Sequence, residues 1–147
     1  MKPSGVTNTP SNLLLDAWPI MEWIQGKEPA ASGFAALIES AILGETRLSM
    51  SRINHGEVVY LIRKNFSPEL AAKFLNAFSN LPIVLLSVSD RLIDAAVEFK
   101  SNYRISFADA FAAAQAVELS VPLLTGDPDF LPLISDGGPL RLHWIGA

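Results

Sequence analysis

The chain has 147 residues, with 15 acidic residues against 11 Lys and Arg for a formal charge of −4, and no Cys. Half of it is hydrophobic and only 18% is charged, which excludes a disordered chain and suits one domain with a sizeable core. Without Cys there is no disulfide scaffold or thiolate metal site, and two distant histidines, His55 and His143, do not make a His-rich zinc centre. Site chemistry must then run on carboxylates, hydroxyls and amides.

Residues 1–11, MKPSGVTNTPS, are polar and read as a flexible lead-in to a single domain over 12–147. Asp16 and Glu39 interrupt the longest apolar stretches, so neither approaches the roughly 18 uninterrupted residues of a membrane helix. The expectation is a cytoplasmic protein with no membrane partner. Its acidic balance also argues against broad electrostatic adhesion to nucleic acid.

Asn12–Leu15 reads as a strand, followed by a short helix over Trp18–Ile24. Ser32 is placed to cap a helix through Phe34, Leu37, Ile38, Ala41 and Ile42, with Gly44 to end it. Thr46–Ser51 is the second strand. A helix bearing Ile53, Val58, Leu61 and Ile62 follows, and Ser67-Pro68-Glu69 opens another. PIVLLS at 82–87 is a continuous apolar run, expected of a strand buried on both faces. Ser89 caps a helix to about Lys100, Ser106 opens an Ala-rich helix to Leu119, and Pro122–Thr125 is the fourth strand. A short turn or helix carries Phe130, Leu131 and Leu133, and LRLHWI at 140–145 closes the series. Strands alternating with helices define an α/β fold: a mostly parallel sheet of about five strands with helices on both faces.

In that topology Asp16 ends the first strand and Asp127 lies just past the fourth. Glu57 lies in the first two turns of the helix leaving the second strand. The helix with Asp109 reaches the fourth strand through a residue or two, so Asp109 must start at the opposite edge, where the strands finish. All four acids thus converge on the C-terminal edge, where open α/β sheets bind ligands. At about 100° per residue, Asp109 points away from Gln115 and Glu118, which read as the polar face of its helix, and Glu57 falls on the stripe of Ile53 and Leu61. Inward carboxylates are costly without compensation, and a bound cation would compensate them. Oxygen-only donors favour Mg²⁺ or Mn²⁺, and the matching reaction is phosphodiester hydrolysis. Each acid alone also suits a cap: Ser106-x-x-Asp109 and Asn54-x-x-Glu57 resemble capping boxes, Asp127 precedes a proline, and Asp16 could cap the helix ahead of Pro19.

LLLDAWPIMEWI, INHGEVVYLI, SFADAFAAAQA and PLLTGDPDF together resemble the acidic motifs of the PIN-domain ribonucleases. The length and the stretch from Gly26 to Lys64 are similar to the VapC toxins of toxin–antitoxin modules, and the resemblance spans Asn12 to Ile145. It implies a PIN-like three-layer fold and a Mg²⁺-dependent endoribonuclease with Asp16, Glu57, Asp109 and Asp127 as metal-binding catalytic acids. Thr125 would orient an acid in a Thr-x-Asp turn, and Asn54 matches a polar position ahead of the second acid. Trp18 departs from the small residue common there, and Asp129 is an extra carboxylate read as lying behind the ligands or in the turn. Arg104, five residues before Asp109, and Arg52 are the candidate RNA contacts. Expected partners are an RNA substrate, a cognate antitoxin and a second copy in a homodimer. Trp18, Ile20, Met21 and Trp23 exceed what a short helix buries easily, so part of that face is a candidate partner surface, with core packing the default. His55 is expected to be exposed near the site and His143 to be a structural strand residue. The competing readings are a non-catalytic PIN-like module that binds RNA or protein, and a phosphoacceptor receiver domain. Four intact acids speak against the first; the lone acid after the first strand and Ser87 ending the third speak against the second.

Overall fold

The computed structural model describes residues 11–135 and 137–147. Of the lead-in expected over 1–11, residues 1–10 lie outside the described residues and Ser11 is the first residue of β1. The elements run β1 (Ser11–Leu15), α1 (Trp18–Ile24), α2 (Ala30–Ile42), β2 (Thr46–Ser51), α3 (Arg52–Asn65), α4 (Pro68–Phe78), β3 (Ile83–Leu86), α5 (Asp90–Asn102), α6 (Phe107–Leu119), β4 (Leu123–Thr125), a 3-10 helix (Pro128–Leu133) and β5 (Leu142–Trp144). All five strands are parallel, in the order β3-β2-β1-β4-β5. β1 is central: Leu15 stands beside Met50 of β2 and Leu124 of β4.

Alternation along β1 builds the two cores. Leu13 and Leu15 face a layer with Ile20, Phe34, Met50, Val58, Ile62 and Phe74, while Leu14 faces Leu92, Ala96, Leu123, Phe130 and the alanines of α6. The chain leaves β1 for β2 on one side and arrives at β4 on the other. This reversal of direction opens a crevice at the strands' C-terminal ends, between β1 and β4.

Ser67, Ser89 and Ser106 cap their helices as expected, accepting from the N–H groups of Leu70, Leu92 and Asp109 at 3.0, 3.1 and 3.1 Å. Ser32 does not. It lies inside α2, and its N–H and hydroxyl donate to the Glu28 carboxylate at 3.1 and 2.6 Å, so an acid ahead of Pro29 does the capping. Gly44 follows the end of α2 at φ +78°, a left-handed turn that glycine adopts without a Cβ clash.

β3 is an edge strand, not one buried on both faces. Val84 is 63% exposed, and among the described residues no strand pairs beyond β3 in the sheet. His55 is buried rather than exposed: its ring meets Phe78 edge-on at 4.6 Å and Phe74 at 6.0 Å, both on α4. Gln115 is also buried, since α6 is enclosed by α5, α3 and the sheet, while Glu118 is exposed. Core packing accounts for most of the α1 face. Ile20 and Met21 are buried, and Trp23 meets Phe34 edge-to-face at 5.4 Å. His143 is exposed on β5. Among the described residues no helix is long and apolar enough to cross a membrane.

Candidate active site

One cavity of about 170 Å³ opens at the crevice, lined by Asp16, Ala17, Trp18, Met21, Glu57, Leu61, Asp109 and Asp127. The four acids singled out in the sequence thus come together from four segments, and no Lys or Arg is among the lining residues. Of the apolar walls, Leu61 already shared the Glu57 stripe in the sequence, whereas Met21 was not evident there. Leu61 lies one helical turn after Glu57, so helical spacing places both on one side of α3, and Met21 lies one turn after Ala17.

Hydrogen bonds fix Asp16 and Asp127 directly and hold the helices that carry Glu57 and Asp109 together. Asp16, 1% exposed, directly follows β1. One carboxylate oxygen accepts the Trp18 N–H and the other accepts the Thr125 hydroxyl at 2.8 Å. Thr125 Oγ1 also accepts the Asp127 N–H at 3.1 Å, so one buried hydroxyl joins the ends of β1 and β4. Asp127 Oδ1 accepts the Asp129 N–H at 2.9 Å and starts the 3-10 helix. Asn54, fully buried, donates from Nδ2 to the Ala108 carbonyl at 3.1 Å, tying α3 to the first turn of α6 and setting Glu57 beside Asp109. Asp16 and Asp127 therefore make the cap-like bonds that each alone suggested, and still line the cavity.

Burial pushes all four carboxyl groups above their ordinary range. Asp16 is raised well above it, opposed by the Thr125 and Trp18 hydrogen bonds. Asp109 rises from 3.8 to about 7, first through lost hydration and then through repulsion from Glu57 and Asp127. Glu57 and Asp127 rise chiefly through burial too, with Asn54 and the Asp129 N–H respectively holding them down. The fold thus stores like charges at partly dehydrated positions, and a hard cation neutralises such a set. Asn54 Oδ1 adds a buried oxygen with no hydrogen-bond partner among the described residues. Carboxylate oxygens of Asp109, Asp127 and Asp129 come within 4.8 Å of one another, so the exposed Asp129 reaches the cluster itself. An all-oxygen donor set of this kind fits a divalent cation.

Arg104 is exposed just before Ser106, the cap of α6. Arg52 is exposed at the start of α3, with its guanidinium 2.8 Å from His55 Nδ1. Glu118 lies near the far end of α6 and outside the cavity. Glu118→Ala should leave the rate of any reaction in the cavity within about twofold of the parent. A loss as large as that of Asp109→Ala in the same assay would contradict this placement.

A parallel sheet with this strand order and acids converging at its switch point define an α/β protein of the PIN type. The chain belongs to the PIN domain family, which it matches over residues 13–132. It is 29% identical over 114 residues to Ribonuclease VapC1 of Mycobacterium tuberculosis, covering 78% of this chain and 84% of that one. In fold it is similar to VapC20 of Mycobacterium tuberculosis, a Sarcin-Ricin loop cleaving toxin, with a TM-score of 0.67 at 16% identity over 83% of this chain and 95% of that one. It is also similar to the DNA-bound VapBC of Salmonella typhimurium, with a TM-score of 0.65 at 15% identity over 90% and 96%.

Proposed function

We propose that the protein is a Mg²⁺-dependent endoribonuclease and the toxin of a toxin–antitoxin pair. What carries this reading is the convergence of Asp16, Glu57, Asp109 and Asp127 in one cavity without a basic side chain to neutralise them. The likeness to Ribonuclease VapC1 and to VapBC complexes supports the RNA substrate and the antitoxin partner. A homodimer is part of the same reading.

Asp16, Glu57, Asp109 and Asp127 would hold the ion, Mg²⁺ or Mn²⁺ on the chemistry of the donors, with Asp129 at the margin. When bound, the ion supplies a water acidic enough to attack phosphorus at neutral pH and offsets charge on the leaving oxygen. The remaining work belongs to the chain. Thr125, donating to Asp16 and accepting from the Asp127 N–H, fixes two acids from neighbouring strands in one orientation. Asn54 keeps α3 and α6 in register, and with them Glu57 and Asp109. Arg104, exposed two residues ahead of the α6 cap, would meet a phosphate of the RNA, whereas Arg52 is engaged with His55.

Purified protein should cleave RNA with Mg²⁺ or Mn²⁺ and lose that activity on chelation. Cleavage that persists in chelator and survives removal of Asp16 and Asp109 would sink the mechanism.

A pH dependence follows from the raised carboxyl groups. The folded state keeps the Asp109 proton up to about pH 7, while the unfolded chain releases it near 3.8. Between those values the folded state binds more protons, so the stability of the metal-free protein falls as pH rises. Melting temperatures in chelator should therefore drop across this window, and saturating Mg²⁺ should flatten the drop. The Asp109→Asn variant should show a smaller drop than the parent. Equal slopes for the two proteins in chelator would refute the assignment of that proton to Asp109.

A further inference from the structure

Trp18 departs from the small residue expected after the first acid, and the structure ties it to the acids at both ends. Its backbone N–H donates to Asp16, and the outer edge of its six-membered ring lies so close over Gly126 that a Cβ there would collide with it. Gly126 directly precedes Asp127. The indole is therefore fixed relative to two of the four carboxylates, and it is the one aromatic side chain among the described residues lining their cavity.

The cavity, about 170 Å³, is well below the roughly 300–1,000 Å³ of pockets that enclose a whole drug-sized ligand. It has room for a phosphate and its cation but not for a complete nucleotide. Sugars and bases on either side of the reacting phosphate must then lie at the rim. That rim is apolar on one side, formed by Trp18, Met21 and Leu61; Met21 is buried, while Trp18 and Leu61 are only half-buried. A flat base set beside this wall loses least by stacking on the indole, which every base can do because each has a π-face.

We propose that Trp18 is the stacking platform for a base flanking the scissile phosphate, where it holds that base turned out of its own stack. This rests on the reading of the cavity as an RNA-cleaving centre. A paired strand keeps its bases inside the duplex and cannot use the indole. Trp18 positions the substrate and takes no part in the bond-breaking itself.

The test is cleavage of a short single-stranded oligoribonucleotide of mixed sequence, of its duplex, and of copies in which one abasic position is moved across the cleavage site. Parent, Trp18→Ala and Trp18→Phe are compared, with the Mg²⁺-induced rise in melting temperature reporting on fold and metal site. The parent should prefer the single strand and lose between about fivefold and about a hundredfold in kcat/KM when one particular flanking base is missing. Trp18→Ala should lose a similar amount on intact RNA, mostly in KM, and become indifferent to that abasic position. Trp18→Phe should recover part of both effects.

A Trp18→Ala enzyme that keeps the parent's full sensitivity to the abasic position would overturn the platform, as would one that cleaves intact RNA faster, since the ring would then be a plug. Should Trp18→Ala fail to fold or lose the metal-induced shift, the parent's abasic scan and Trp18→Phe decide. A parent indifferent to every abasic position overturns the proposal. A parent that cleaves no RNA with metal present overturns the nuclease reading itself, an outcome distinct from cleavage without any dependence on Trp18.

Discussion

Asp109→Asn should abolish most of the RNA cleavage while leaving the metal-free protein as stable as the parent or more so. The two parts have different causes. Asn has nearly the shape of Asp, and the cap of α6 is made by the Ser106 hydroxyl accepting the residue-109 N–H, which the change retains. What disappears is an anion beside Glu57 and Asp127, whose mutual repulsion helps to lift Asp109 to about 7. Removing it relieves that repulsion in the empty site, yet costs a hard cation one of its charged ligands. Activity should fall at least about a hundredfold, beyond the 10- to 100-fold cost of losing an outer partner at a metal site. The Mg²⁺-induced rise in melting temperature should shrink with it, because that rise reports affinity for the folded state. Melting curves with and without Mg²⁺ beside a cleavage assay settle the matter. A variant that melts lower in chelator and cleaves at the parent rate would reduce Asp109 to a helix-capping residue.

Gly126→Ala should damage both stability and activity through sterics alone. A Cβ at this position would overlap the Trp18 ring and come within 2.6 Å of the Gly146 Cα. Gly146 belongs to the backbone just past β5, and Trp18 is anchored at the start of α1, so neither yields cheaply. Overpacking of this kind costs about 1–3 kcal/mol, or several degrees in melting temperature for a chain of this size. The displaced groups are Trp18 and Asp127, so cleavage should fall by more than the loss of folded protein explains. Parent-like melting together with a parent-like rate would show that the close approach is not structural.

Most elements were legible because their signals are local. Ser67, Ser89 and Ser106 announce their helices by a hydroxyl three residues ahead of the N–H it accepts, β1 by the apolar run Leu13 to Leu15, and β2 by Leu48 and Met50 alternating with polar residues. The convergence of the acids was legible through connectivity: once the strands are parallel, whatever follows each strand shares an edge. Most of the differences concern neighbours distant in sequence. Burial of His55 depends on Phe74 and Phe78 of another helix. Burial of Gln115 depends on α6 being closed in from several sides, which a polar side chain does not reveal. The run at 82–87 is equally apolar in an edge or an inner strand, and only the strand order places β3 at the margin. Ser32 was misread because the competing cap, Glu28, lies ahead of Pro29 and outside the helix it serves. Within the site, Asp129 and the Met21 wall depend on side-chain reach across elements.

The hydroxyl bridge between Asp16 and Thr125 spans 109 positions of the chain. Parallel strands so far apart in sequence pair late, since the entropy of closing the intervening loop is lost before any contact rewards it. Asp16 emerges early in synthesis, but its hydrogen-bonding partner and its neighbour Asp127 belong to the last fifth of the polypeptide. A nascent chain therefore carries scattered acids and no pocket.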